Sequence, residues 1–211
     1  MACDILPLSE ACERNKGPIL EVLKGALADS RHVLEIGSGT GQHAVFLSRH
    51  LAHLSWQPSD TAEYLPILRQ GLRERPSNLL EAIELDVRRH PWPILRADAI
   101  FTANTLHIMS TQAVAEFFHG AGAVLGGSGT LCVYGPFRYG GHFTSPSNAS
   151  FDRSLQERDP LSGIRDFESV DALARGQGLR LHADHSMPAN NQLLVWRALP
   201  ARHTTCGEQS Q

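Results

Sequence analysis

The sequence has 211 residues, 42% of them hydrophobic and 19% charged, which favours a single domain with a substantial buried core. Its formal net charge of −3 provides no broad basic surface, so the composition argues against nucleic-acid binding as the main activity. The four cysteines form no CxxC pair, and neither a signal peptide nor a membrane span is visible, so we expect a cytoplasmic domain that contacts no membrane and holds neither disulfides nor a metal.

Short apolar runs alternate with amphipathic segments along most of the chain. Such alternation predicts βαβ units and a mostly parallel sheet, and hence a single α/β domain over residues 1–199 followed by a disordered tail over 200–211. Strands are predicted at residues 32–37, 54–57, 81–86, 98–103, 130–135, 179–184 and 193–197. Helices are predicted at residues 11–27, 42–51, 62–74, 111–125 and 168–177.

Two features interrupt this pattern. Pro18 lies inside the first predicted helix, and its ring predicts a break or a fresh helix start near that position. Residues 136–165 contain several glycines and prolines and show little periodicity. A segment of this length without secondary structure is typical of a binding loop or of a cover over a site.

Residues 33–44 read VLEIGSGTGQHA, an apolar strand followed by glycines at every second position. The dinucleotide fingerprint GxGxxG needs a glycine where Gln42 stands, and the phosphate loop GxxxxGK[ST] is absent. The acid in the strand, Glu35, suits a ligand with a cationic amino-acid portion, which favours S-adenosyl-L-methionine over NAD. The turn residues predicted to contact this cofactor are Gly37, Ser38, Gly39 and Gly41.

Two further acids end the next two predicted strands. Asp60 follows Gly41 by nineteen residues (60 − 41), and a carboxylate there can accept both ribose hydroxyls. Asp86 ends the segment AIELDV, where it can accept a hydrogen bond from an adenine amino group while Val87 offers its backbone. One such acid alone is equally well explained as a solvated turn residue. Acids at three successive strands around a glycine turn favour a nucleoside site.

These residues resemble the class I S-adenosylmethionine-dependent methyltransferases. The segments ERNKGPILEVL, SGTGQHA, WQPSD, YGPF, SNASFDRSL, RDP, GIRD and MPANN are similar to the small methyltransferase-like 26 family in its bacterial form, from about residue 10 to residue 197. The resemblance implies a Rossmann-like, seven-stranded, mostly parallel sheet with helices on both faces. It also implies the strand order 3-2-1-4-5-7-6 with the last strand antiparallel.

Position in such a fold, together with the resemblance, indicates residues near the reactive sulfonium. His107 is a candidate general base, with packing under the following helix as the alternative. Asn104 is predicted to orient the cofactor or the nucleophile. Tyr134 either lines the site with its aromatic face or packs in the core. The resemblance further implies that the first helix, residues 10–28, is a lid in which Arg14 pairs with the methionine carboxylate, unless Arg14 is simply an exposed surface residue.

The segment 136–165 supplies the candidate substrate-binding residues. Polar, charged and aromatic side chains in a cover suit a small polar acceptor, and Tyr134 adds an aromatic wall. Opposite charges at neighbouring positions, as in GIRD, have a second interpretation as ion pairs that fix the loop. The candidates in this segment are Asn148, Phe151, Asp152 and Arg165.

Transfer of a methyl group from S-adenosylmethionine to a small molecule is therefore the function that we predict. A first alternative keeps the cofactor but attacks the carbon next to sulfur on its amino-acid side, for example with cyclisation to azetidine-2-carboxylate and release of methylthioadenosine. A second alternative is a non-catalytic module that binds S-adenosylmethionine. The oligomeric state is left open by the sequence.

Overall fold

A computed structural model of the chain describes residues 9–198, so the predicted tail as well as Cys3 and Cys206 lie outside the described residues. Its strands are β1 (His32–Ile36), β2 (Ser55–Asp60), β3 (Ile83–Glu84), β4 (Ala99–Ala103), β5 (Thr130–Gly135), β6 (Phe137–Tyr139), β7 (His142–Phe143), β8 (Arg165–Asp166), β9 (Leu179–Met187) and β10 (Asn191–Ala198). Its α-helices are α1 (Glu10–Ala26), α2 (Gln42–His50), α3 (Leu65–Gly71), α4 (Thr111–Leu125), α5 (Pro146–Arg158) and α6 (Phe167–Gly176).

Seven of these strands form the central sheet, in the order β3-β2-β1-β4-β5-β10-β9. Strands β1 to β5 pair in parallel, whereas β10 runs antiparallel to both β5 and β9. Counted within this sheet the order is 3-2-1-4-5-7-6, so the predicted order and the antiparallel last strand are confirmed. Parallel strands bring their carboxyl ends to one edge of the sheet, where such folds bind ligands.

Hydrophobic cores lie on both faces of the sheet. Helices α1, α2 and α3 cover one face, where Trp56 and Phe101 are fully buried. Helices α4 and α6 cover the other face, where Phe117 and Trp196 are fully buried. Burial on both faces explains why the central strands read as continuous apolar runs rather than as alternating patterns.

Helix α1 runs without interruption through Pro18, so the predicted break is wrong. Proline in a helix interior costs about 3 kcal/mol or more. The helix nevertheless buries Ile19, Leu20 and Leu23 against the sheet, and each such side chain stabilises by roughly 1.5–3 kcal/mol. Burial of this face therefore outweighs the local penalty of the proline.

The prediction that residues 136–165 lack secondary structure is also wrong. This segment forms the hairpin β6–β7, helix α5 and strand β8, and β7-β6-β8 make a second, three-stranded sheet. Gly140 and Gly141 have φ angles of 56° and 78° and form the hairpin turn. Pro146 occupies the first turn of α5, which Ser145 caps. The glycines and the proline that suggested a loop therefore form a hairpin turn and the start of a helix.

Three observations concern the remaining expectations from composition. Within residues 9–198, no helix combines the length and the apolar character that a bilayer crossing requires. Cys12 and Cys132 are both buried and unbridged. In the same part of the chain, no three histidine, cysteine or acidic side chains come together as metal ligands do.

Candidate functional site

The turn between β1 and α2 leaves bare backbone at the carboxyl edge of the sheet. Gly37, Gly39 and Gly41 have φ angles of 71°, 56° and 80°. A Cβ atom would lie 2.8 Å from Thr105 at Gly37 and 2.8 Å from Leu72 at Gly41, so close packing requires both glycines. A Cβ atom at Gly39 would meet no protein atom within 4 Å. Gly39 therefore faces open space.

Asp60, at the end of β2, is hydrogen-bonded to this turn. Its Oδ2 accepts from the Gly39 amide at 2.7 Å, and its Oδ1 accepts from the Thr61 amide at 2.8 Å. Burial raises the pKa of Asp60, and the two amides act in the opposite direction. Each carboxylate oxygen has a second lone pair, so the oriented side chain can accept two further hydrogen bonds.

Two cavities meet at the turn. The main cavity has a volume of about 510 Å³, and a smaller one of about 150 Å³ shares part of its lining. Gly37, Gly39, Ala103 and Asn104 line both of them. An elongated ligand can therefore pass between Gly39 and Asn104 and occupy both spaces. Of the predicted cofactor residues, those that line the main cavity are Gly37, Gly39, Asp60, Asp86, Val87 and Asn104. Those that line the small cavity are Gly37, Ser38, Gly39 and Asn104, whereas Gly41 lines neither.

Asp86 stands at the wall of the main cavity and is paired with Arg88. Its Oδ2 accepts from Arg88 Nη2 at 2.7 Å, and its Oδ1 accepts from the Arg88 amide at 3.0 Å. The hydrogen bonds from Arg88 hold the pKa of Asp86 below its usual value. The Arg88 side chain is largely exposed, so the ion pair is a weak one that a ligand can displace.

Glu35 lies beneath the turn and lines neither cavity. It is only 2% exposed, and the Trp56 indole Nε1 donates to its Oε2 at 2.6 Å. Burial raises the pKa of Glu35 to about 8, and the Trp56 hydrogen bond opposes that rise. The carboxyl group is therefore largely protonated at neutral pH. Its contact with the cofactor stays a prediction.

Glu35 should make the folded protein less stable as the pH rises. The unfolded carboxyl titrates near ~4.3, so between that pH and about 8 the unfolded chain loses a proton that the folded chain keeps. Glu35→Gln should remove this pH dependence because the amide does not titrate. Its oxygen can still accept the hydrogen bond from Trp56, so the fold is kept. Urea unfolding at pH 5 and pH 8 measures the effect, with the exposed Glu84→Gln as control. If the free energy of unfolding changes between pH 5 and pH 8 by the same amount in Glu35→Gln as in the unsubstituted protein, Glu35 is ionised in the folded state.

The three predicted catalytic residues occupy different places. Asn104 has a φ angle of 58° and lines both cavities. Tyr134 is 3% exposed and lines neither cavity; burial raises its pKa, while hydrogen bonds from Asn15 and Asn191 lower it. His107 is 7% exposed and also lines neither of the two cavities. Only Asn104 therefore faces the space that a cofactor would fill.

His107 packs beneath helix α5. Its ring lies edge-on to the Phe151 ring, with 5.2 Å between the ring centroids. Burial, and then the charges of Arg165 and Arg158, lower the pKa of His107 to about 4. The imidazole is therefore neutral at physiological pH, and it packs against α5 rather than under the following helix α4, so its role as a base stays a prediction.

Arg14, predicted to bind the methionine carboxylate, points to solvent. Its side chain is 69% exposed, and its Nη1 bonds to Glu10 Oε2 one helical turn earlier at 3.3 Å. It lines neither cavity. Pairing of Arg14 with a bound carboxylate thus stays a prediction that would require the side chain to turn inward.

Two of the candidate substrate residues hold α5 in place. Asn148 Nδ2 donates to the Asn190 carbonyl at 2.9 Å, which ties the start of α5 to the turn between β9 and β10. Asp152 Oδ1 accepts from the Ile164 amide at 2.6 Å. Phe151, by contrast, remains 36% exposed.

A third cavity, of about 400 Å³, is lined by Asp152 and Arg165 and shares Ser110 and Leu161 with the main cavity. The ion pairs suggested by neighbouring charges do not form within the described residues. Asp166 instead pairs with Arg138 at 2.7 Å. The third cavity is lined mainly by polar and charged residues, and it adjoins the main cavity.

Sequence reasoning missed His43 and its partner Asn15. His43 lines the small cavity, and its Nε2 lies 2.7 Å from Asn15 Oδ1 on α1. Burial lowers the pKa of His43 to about 4, so the ring is neutral. Ser9, just before α1, donates its amide to Gln42 Oε1 at 2.7 Å and also lines the small cavity. The position of His43 directly after the glycine turn was the available signal.

Several solved methyltransferase structures share this fold. An O-methyltransferase family protein from Burkholderia thailandensis is 20% identical, with a TM-score of 0.72 over 88% of this chain and 57% of that one. The S-adenosylmethionine-dependent methyltransferase SibL is 20% identical, with a TM-score of 0.71 over 90% and 56%. Human N-acetylserotonin methyltransferase, solved in complex with S-adenosylmethionine, is 16% identical, with a TM-score of 0.69 over 92% and 60%.

The chain thus spans a little over half the length of these structures, and at such identities the likeness establishes a shared Rossmann-like fold. A family model described as "Protein of unknown function (DUF938)" matches residues 6–198. The match covers nearly the whole chain, and the protein therefore belongs to the DUF938 family.

Proposed function

We propose that the protein binds S-adenosylmethionine and transfers its methyl group to a small molecule. The observation that carries this proposal is the position of Gly39. Its amide is fixed by Asp60, no protein atom fills the place of its missing side chain, and it stands with Asn104 between two cavities. The complex of the human structural relative with S-adenosylmethionine supports the choice of ligand.

The residues at the cavity walls fit the parts of this cofactor. Asp60 has two free lone pairs at the end of β2, which suit two ribose hydroxyls. Leu85 and Val87 offer apolar surface for a purine, and Asp86 lies beside them at the wall. The smaller cavity beyond Gly39 suits the amino-acid portion. The donor set and the shape are therefore those of an adenosyl ligand with a short polar extension.

When bound, S-adenosylmethionine would supply an electrophilic methyl group to an acceptor lone pair, with both electrons of the broken carbon–sulfur bond left on sulfur and the acceptor's proton released to solvent. The chain contributes mainly alignment, which accounts for a large part of such rate enhancements. Asn104 lines both cavities, so its amide can orient ligand groups that lie between them. An amide cannot take up a proton, so Asn104 is not a base. A base role for His107 is not needed in this scheme and stays a prediction.

The space beside the cofactor supports a small acceptor. The third cavity, of about 400 Å³, adjoins the main one and is lined by the predicted substrate residue Asp152. The finer relationship to the methyltransferase-like 26 family is part of the same proposal. It rests on WQPSD, which forms most of β2 and ends at Asp60, and on MPANN, which forms the turn to β10.

Calorimetry and product analysis test the proposal together. We expect S-adenosylmethionine and S-adenosylhomocysteine to bind to the purified protein and NAD to give no response. Incubation with S-adenosylmethionine and a metabolite extract should then release S-adenosylhomocysteine, detected by mass spectrometry. Methylthioadenosine would instead indicate attack on the amino-acid side, and binding without turnover a non-catalytic module. Binding of NAD alone would overturn the cofactor assignment.

A further inference from the structure

One side chain, Arg165, joins two separate segments around the main cavity. Its Nε donates to the Leu106 carbonyl at 3.2 Å, and its Nη2 donates to the carbonyls of Met109 and of Leu161, the latter at 2.9 Å. Its Nη1 donates to Thr111 Oγ1 at 3.3 Å. Leu106 and Met109 belong to the connection between β4 and α4, whereas Leu161 belongs to the connection between α5 and β8.

Both connections form the mouth of the main cavity. The first contributes Ile108, Met109 and Ser110 to its lining, and the second contributes Asp159 and Leu161. Ile108 is 56% exposed and Leu161 is 65% exposed, so two large apolar side chains stand open at this mouth. Apolar surface of this kind becomes covered when a flat ligand such as a purine enters.

The guanidinium of Arg165 is used almost completely by these bonds. Four of its five N–H groups have acceptors, three of which are main-chain carbonyls, and Arg165 takes part in no salt bridge within residues 9–198. Two further hydrogen bonds cross the same gap, from Ser162 Oγ to the Ile108 carbonyl at 3.2 Å and from the Gly163 amide to the His107 carbonyl at 2.9 Å. The planar fork of arginine suits such a bridge, whereas lysine offers a single nitrogen.

We propose that Arg165 is a positioning residue that sets the width of the cavity mouth and thereby the residence time of the cofactor. This inference rests on the proposed function. It replaces the direct substrate contact that the sequence suggested for Arg165, because a guanidinium bonded to both walls has little capacity left for a ligand. Without it, the connection that contains Ile108 and the one that contains Leu161 move apart more readily, and the bound purine is released faster.

The neighbouring Arg138 provides a matched control. It lines the third cavity as Arg165 does, but its side chain donates to Asp166, and within residues 9–198 it makes no hydrogen bond to either connection at the mouth. We expect Arg165→Met to bind S-adenosylhomocysteine about 10-fold more weakly, mainly through faster release in stopped-flow measurements. Arg165→Lys should recover part of the loss, and Arg138→Met should stay within about twofold of the unsubstituted protein.

Hydrogen exchange of the ligand-free protein separates this inference from the proposed function. Amides in residues 106–111 and 159–164 should exchange faster in Arg165→Met than in the unsubstituted protein. In Arg138→Met their exchange rates should be unchanged. Equal release rates in Arg165→Met and the unsubstituted protein, or equal losses in both arginine variants, would overturn the inference. If Arg165→Met does not fold, Arg165→Lys decides by the same two measurements. Absence of any S-adenosylhomocysteine binding would defeat the proposed function, while hydrogen exchange would still test the bridge.

Discussion

Gly39→Ala should weaken binding of S-adenosylhomocysteine by roughly 10- to 100-fold, the effect of an overfilled site. The added methyl group meets no protein atom within 4 Å, so the folded protein accommodates it. It projects instead into the space that both cavities share, where the ligand must pass. The left-handed backbone at 56° adds a stability cost of roughly 1–2 kcal/mol. Calorimetry measures the affinity and urea unfolding measures the stability.

Gly140→Ala is the matched control for this experiment. Gly140 has the same φ angle of 56°, and a Cβ atom there would also meet nothing within 4 Å. It lies in the turn between β6 and β7 and lines neither cavity. We expect the same loss of stability with unchanged affinity. Equal affinities for both alanine variants and the unsubstituted protein would mean that the ligand does not pass Gly39.

Asp60→Ala should weaken cofactor binding by roughly 1–3 kcal/mol, because hydrogen bonds from the ribose to a charged acceptor are lost. Asp60→Asn should lose a similar amount of binding free energy, since an NH₂ donor replaces one of the two carboxylate oxygens. That donor would face either the Gly39 amide or a ribose hydroxyl. Calorimetric titration with S-adenosylhomocysteine gives the affinity of each variant.

Asp98→Asn controls for the structural part of this effect. Asp98 Oδ2 accepts from the amides of Arg31 and His32 at 2.9 Å, so it also fixes a β1 terminus through two backbone donors. It acts at the opposite edge of the sheet, away from both cavities. The Asp98 variant should lose stability and retain its affinity. Unchanged affinity in the Asp60 variants would reduce Asp60 to a turn residue.

Much of the fold could be predicted because its signals are local. The apolar runs of β1, β4 and β5 reflect burial on both faces, and α4 begins and ends at the predicted residues 111 and 125. The predictions at Pro18 and in residues 136–165 were wrong because long-range contacts outweigh the local signals, which were a helix penalty in the first case and a loop-like composition in the second. Helix α1 gains its stability from packing on the sheet, and the second sheet forms by pairing of β6 with the distant β8.

The candidate site divides in the same way. The glycine turn, Asp60 at the end of β2 and Asn104 after β4 could be predicted because strand ends follow from periodicity and spacing, whereas the strand order was implied only by the family resemblance. Tertiary contacts alone set the protonation of Glu35, the packing of His107 against Phe151 and the carbonyl contacts of Arg165. Each of these depends on burial by an element distant in the chain: Trp56 on the neighbouring strand, helix α5 over His107, and the two connections that Arg165 joins. Burial and long-range contact set protonation and orientation, and neither leaves a local trace in the order of residues.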